Sequence, residues 1–152
     1  MKQTPPPSPL PRINRGWRIG IVHATYYKEE VGVLVDGAVQ ILRDAGLPPA
    51  NIKTFPVPGS FEIPLIGAEL ARKKEVDALI GIGIIVEGET HHARLIAEQA
   101  ARGMMDVQVR YGMPFAFEVL YVDDLALVRP RLDRGAEAAR AVLHALAQLE
   151  RF

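Results

Sequence analysis

Cysteine is absent from the chain. That removes disulfide frameworks, thiolate metal sites and cysteine nucleophiles at once. A net charge is missing too, because 18 Lys and Arg offset 18 Asp and Glu. Without a basic excess there is no electrostatic footprint for nucleic acid or an anionic membrane, so neither is expected as a partner. The same neutrality removes a self-repulsion that keeps many proteins monomeric, which permits self-association. No apolar run reaches the roughly 18 residues of a membrane-spanning helix. Residues 1–15 hold no apolar stretch of signal-peptide length either, and a cytoplasmic protein is the expectation. No internal repeat is visible.

What is present is an ordinary globular composition, 49% hydrophobic and 24% charged over 152 residues, which suits one domain. A domain of that length buries roughly 70% of its unfolded surface, enough for a true core. Residues 1–15 are the exception, since Pro5, Pro6, Pro7, Pro9 and Pro11 interrupt any periodicity. Such a segment favours polyproline II and reads as an extended, untethered arm. An arm packed on a neighbouring subunit is the alternative. The folded domain is then expected over 16–152.

From residue 17 onward, short apolar runs alternate with helical patterns. Strands are expected at 17–23, 51–57, 78–86 and 114–122, and helices at 28–45, 61–73, 91–109 and 135–149. In the first helix Val31, Leu34, Val35, Ala38, Ile41, Leu42 and Ala45 make one stripe, with Gly46 as a stop. In the last, Ala138, Val142, Ala145, Leu146 and Leu149 are expected to point inward. The run ALIGIGIIV at 78–86 is apolar without alternation, so it belongs in the middle of a sheet covered on both faces. Strands separated by helices of this length build a parallel sheet with helices on both faces, an α/β three-layer sandwich. Ligands of such sheets sit beyond the carboxyl ends of the strands, which singles out the loops at 23–28, 57–61, 86–92 and 121–124.

Two of these loops carry chemistry. In VPGSFEIP (57–64), Pro58 and Gly59 make a turn that opens a helix, and Glu62 falls in its first turn. The carboxylate equally suits a helix N-terminus with no further role. In VEGETHH (86–92), Gly88 lets the backbone approach a ligand and Thr90 suits an N-cap. The free amides and dipole of the following helix favour a phosphate. A histidine there can move protons near neutral pH, although His91 and His92 also suit a plain surface. Two adjacent histidines lack the i, i+4 geometry of helical zinc motifs, so no metal is expected. Tyr26 and Tyr27 follow the first strand and Phe115 and Phe117 lie in the fourth; a ring at the sheet's edge can stack on a planar heterocycle, whereas core packing suits Phe115 better.

From about residue 18 to 149 the chain resembles the lumazine synthase family. VPGSFEIP looks like that family's V-P-G-(A/S)-F-E-(I/L)-P, and Gly88-Glu89-Thr90-His91-His92 like its G-x-T-x-H at the matching distance. An aromatic after the first strand, the run GMMDVQVRYGMPFAFEVL and the late RGAEAA add to the match. The resemblance implies a flavodoxin-like four-stranded parallel sheet, pentameric assembly and active sites between subunits. It implies condensation of 5-amino-6-(D-ribitylamino)uracil with 3,4-dihydroxy-2-butanone 4-phosphate, with no cofactor. By the same resemblance Tyr26 stacks on the pyrimidine, Ser60 and Glu62 bind the ribityl chain, and Phe61 shapes the pocket. Ile85 and Val86 offer backbone groups to the pyrimidine, and Gly88, Glu89 and Thr90 form the phosphate loop. His92 transfers protons, and Phe117 comes from the adjacent subunit.

The chain also departs from that pattern. Glu87 stands where the family usually has a basic residue, Glu118 where it has glycine, and Tyr121-Val122 where it has two threonines. The segment between Asp123 and Gly135 is about five residues shorter than the family's, and it lacks the arginine that grips the substrate phosphate. Arg129, Arg131 and Arg134 are the replacements at hand, with Arg134 aligned to the family's lysine before the glycine. The shortening touches the turn that governs shell assembly, so a pentamer or decamer is expected rather than a 60-subunit shell. A non-catalytic lumazine- or flavin-binding relative, and an enzyme with a changed carbonyl substrate, stand as alternatives.

Overall fold

The apolar runs and the three-and-four spacing resolve into four strands and four helices in a computed structural model, which describes residues 9–152. In chain order these are β1 (Ile19–Ala24), α1 (Lys28–Asp44), β2 (Ile52–Val57), α2 (Ile63–Arg72), β3 (Ala78–Val86), α3 (His92–Tyr111), β4 (Phe115–Val122) and α4 (Arg134–Leu149). The sheet has the order β2-β1-β3-β4 and every neighbouring pair is parallel. Helices α1 and α4 cover one face, and α2 and α3 cover the other. This is the flavodoxin-like three-layer α/β arrangement expected from the sequence.

The unalternating run of β3 has its physical reason in this position. Ile80, Ile82 and Ile84 pack under α1 and α4, while Leu79 and Ile85 pack under α2 and α3. Leu34, Leu42 and Leu143 are fully buried against the first set. Each such side chain contributes about 1.5–3 kcal/mol of apolar burial. On α1 the stripe holds, with Val31, Leu34, Val35, Ala38 and Leu42 buried.

Four local expectations shift. Trp17 is buried but precedes β1; its indole N–H donates to Glu150 Oε1 at 3.0 Å, so it anchors the core from a turn. The second helix starts at Ile63 rather than residue 61, after a 3-10 turn at Ser60–Glu62, because Pro64 lacks an amide and belongs in a first helical turn. Leu149 is turned outward at the end of α4 and is 47% exposed. Part of the proline-rich arm is tied down: Leu10 and Ile13 pack on the core, and Asn14 Nδ2 donates to Glu150 Oε1 at 2.9 Å. Two apolar side chains and an anchored amide outweigh the prolines there. Residues 1–8 of the arm lie outside the described residues.

Candidate active site

β1 and β3 are neighbours whose following strands lie on opposite sides, β2 at one edge and β4 at the other. The sheet therefore has its switch point between them, and a crevice opens at their carboxyl ends. The loop after β1 brings Tyr26 and Tyr27 to this crevice. Tyr27 has φ 53° and ψ 54°, a left-handed conformation that bulky residues seldom adopt. Thr25 Oγ1 donates to the Pro58 carbonyl at 3.0 Å and so fastens this loop to the one after β2.

The loop after β2 is held by its own glutamate. Glu62 Oε1 accepts the Gly59 N–H at 2.9 Å, closing the turn ahead of α2. Ser60 then points inward, 5% exposed, against Gly83 of β3, where a Cβ would collide with its hydroxyl. Only glycine admits that close approach. The Ser60 hydroxyl has no hydrogen-bond partner, which marks it for attention because buried polar atoms nearly always have one.

These elements enclose a hollow of about 750 Å³. Its walls include Tyr26, Ser60, Phe61, Glu62, Ile85, Val86 and His92, so seven of the twelve residues expected from the sequence share one space. Tyr26 is 67% and Phe61 57% exposed, forming an open aromatic rim over an apolar floor. α3 contributes more than its histidine: Leu95, Ile96 and Gln99 lie on the same wall. Their spacing from His92, three, four and seven residues, is the signal that could have found them.

Gly88, Glu89 and Thr90 form the exposed loop between Val86 and His92, continuous with the hollow but outside its walls. The N-cap of α3 is His91 rather than Thr90. Thr90 nonetheless serves the helix end, its hydroxyl accepting the His92 N–H at 3.3 Å. Glu87 is engaged on both oxygens. The Tyr121 hydroxyl donates to one, and the Gly88 N–H donates to the other at 3.0 Å. The Tyr121 bond, the Gly88 amide and the nearby His91 and Arg94 charges hold the Glu87 carboxyl below its ordinary range.

Phe117 and Arg134 stand apart. Phe117 pairs with Gly81 and lies about 16 Å along β4 from the sheet's carboxyl edge. Arg134 begins α4 on the other face, where its charge meets Glu118. Arg129 lines a separate recess beside Glu29 and Glu30, and Arg131 Nη1 donates to the Leu127 carbonyl at 2.6 Å. Within one chain, none of these cations joins the hollow. Phe115 is a core residue, 5% exposed, as its place in the fourth strand led one to expect. Among the described residues no group of three or more His, Asp or Glu is placed to hold a metal ion.

Residues 16–150 match the family of 6,7-dimethyl-8-ribityllumazine synthase. The chain belongs to that lumazine synthase family. A protein of Cytophaga hutchinsonii called 6,7-dimethyl-8-ribityllumazine synthase is 38% identical over 134 residues, covering 85% of this chain and 84% of its own. One of Nitrosospira multiformis with the same name is 37% identical over 88% of this chain and 83% of its own. One of Aquifex aeolicus, again so named, is 34% identical and covers 90% of each. The lumazine synthase match thus spans all four strands, all four helices and both loops that line the hollow.

Proposed function

We propose that the chain condenses 5-amino-6-(D-ribitylamino)uracil with 3,4-dihydroxy-2-butanone 4-phosphate to give 6,7-dimethyl-8-ribityllumazine, a transferase step of riboflavin biosynthesis. The observation that carries this reading is the convergence of Glu62 and His92, from separate loop-to-helix junctions, on one hollow at the sheet's switch point. The pyrimidine stacks on Tyr26 and takes backbone groups of Ile85 and Val86. Its ribityl chain runs to Ser60 and Glu62, with Phe61 as a wall. The phosphate of the second substrate sits on Gly88, Glu89 and Thr90, at the amides that open α3. His92 moves protons as the imine forms, phosphate leaves and the ring closes.

No cofactor is needed, since C–N bond formation, loss of phosphate and water, and ring closure involve no net redox change and ask only for positioned reactants and assisted proton transfer. Holding two reactants in line itself removes several kcal/mol of barrier, roughly 7–11 in favourable cases. The open aromatic rim and the distance of Phe117 from its own hollow support a homo-oligomer in which a neighbour supplies that ring. A pentamer, or a decamer of two, is the proposed assembly, with Arg134 as the candidate cation across the interface and the cytoplasm as its place. Among the described residues no helix is long and apolar enough to cross a membrane.

Incubating the pure protein with both substrates tests the reading through the fluorescence of the lumazine product. Turnover above the uncatalysed rate is expected, and His92→Ala is expected to lower kcat by about 100-fold. A folded, oligomeric protein that makes no product above background ends this reading; unchanged turnover in His92→Ala ends the role given to that residue.

A further inference from the structure

Glu87 is the first residue beyond β3, and its own N–H bonds to the Val122 carbonyl at 2.8 Å. That bond sets it beside the end of β4, where Tyr121 faces it from the register position opposite Ile85. One carboxylate is thereby held from two segments, by the Tyr121 hydroxyl on Oε2 and by the Gly88 N–H on Oε1. Gly88 is the glycine whose exposed backbone opens the loop ahead of α3. An amide in such a loop is what an incoming anion uses, and here a side-chain anion already occupies it. His91 and Arg94 supply the positive field around the same carboxylate, and Arg94 is further engaged with Glu98 at 2.9 Å. Tyr121 is 39% exposed, so the contact lies where a solute can compete for it.

We infer that Glu87 and Tyr121 form a clasp that keeps an internal carboxylate on the phosphate loop, and that a phosphate-bearing substrate binds by displacing it. This rests on the phosphate reading of 88–90 given above and adds two specificity-determining residues to it. The clasp sets a selectivity: a dianion must overcome both the occupied amide and the charge of Glu87, whereas a neutral carbonyl compound meets only the first. The carboxylate remains ionised throughout the neutral range, because the Tyr121 hydroxyl, the Gly88 amide and the Arg94 charge all favour its anion. The clasp therefore acts on affinity for the phosphate partner; the pyrimidine partner, which binds at Tyr26, Ser60, Glu62 and the backbone of Ile85 and Val86, makes no use of the Glu87 carboxylate.

Inorganic phosphate titrated calorimetrically into the full-length oligomer at fixed ionic strength tests the clasp, with Glu87→Gln and Tyr121→Phe alongside the parent. Glu87→Gln is expected to bind phosphate about tenfold more tightly. Tyr121→Phe, which frees the carboxylate to swing away, is expected to show a smaller gain of about threefold. In Glu87→Gln the KM of the phosphate-bearing substrate falls in parallel while that of the pyrimidine stays constant; a merely structural role would move both. Unchanged or weaker phosphate binding in Glu87→Gln overturns the clasp. Should that variant fail to fold, Tyr121→Phe decides, and unchanged affinity there overturns it. Absence of phosphate binding in every protein also overturns it, and lumazine formation by the parent then tells whether the synthase reading survives.

Discussion

Two buried polar residues are the clearest statements at the level of single side chains. Ser60 hides its hydroxyl against Gly83 without a partner, and an unpaired buried hydroxyl costs about 1–3 kcal/mol. Ser60→Ala is therefore expected to raise the stability of the free protein by about 1 kcal/mol while raising the KM for the ribitylaminouracil. A urea midpoint that falls, or a KM that stays put, would show that the hydroxyl is not held in reserve for a ligand. Glu118 is the other, 8% exposed on β4 beneath α4. Burial pushes its carboxyl from the ordinary 4.5 up to about 7, against the pull of Arg134 and with the help of Glu137 and Asp133. The native state thus keeps a proton that the unfolded chain releases, and stability falls as pH rises from about 4.5 to about 7, by up to about 3 kcal/mol. Glu118→Gln has no such proton to lose. Denaturant melts of parent and variant at pH 5 and pH 7.5 should diverge, with the variant relatively more stable at the higher pH; parallel behaviour would mean that Glu118 ionises normally.

Segments of chain were the most legible level. The apolar run of 78–86 could only be a central strand, and β3 is central; the stripe on 28–45 predicted the buried face of α1. Boundaries were lost where tertiary contacts overrode local pattern. Trp17 looked like strand because it is apolar, yet it is the indole bond to Glu150, 133 residues away, that fixes it. The motif RGAEAA was legible as a likeness but not as a reason. The reason is the crossing of α1 and α4: a Cβ on Gly135 would collide with the Leu34 backbone. Gly135→Ala gains about 1 kcal/mol of helix propensity and meets a clash no rotamer can relieve. A net loss of about 1–3 kcal/mol is expected in the urea midpoint. A more stable variant would mean that the helices part without penalty.

The site itself was readable only in part, and the part that one chain does not bring to the hollow is the part the proposed assembly would supply. Loop motifs disclosed Glu62 and His92 because strand ends and helix starts gather at one edge in this topology. No motif disclosed Leu95 or Gln99, which reach the hollow because their helical spacing from His92 puts them on the same face of α3. Phe117 was assigned by likeness alone, and its own chain leaves it 47% exposed and far from the hollow. If a neighbour completes each site, two defective proteins should repair one another. A His92→Ala chain keeps a sound Phe117 to lend, and a Phe117→Ala chain keeps a sound His92 to receive it. Each alone is expected to be nearly inactive. Dissociated, mixed in equal amounts and reassembled, they should recover about a quarter of parental activity, because about one site in four pairs an intact His92 with an intact neighbouring Phe117. Recovery must also require the exchange of subunits, so that mixing without dissociation gives none. If the reassembled mixture is as inactive as its parts, Phe117 acts within its own chain or not at all, and the hollow is complete in a single subunit.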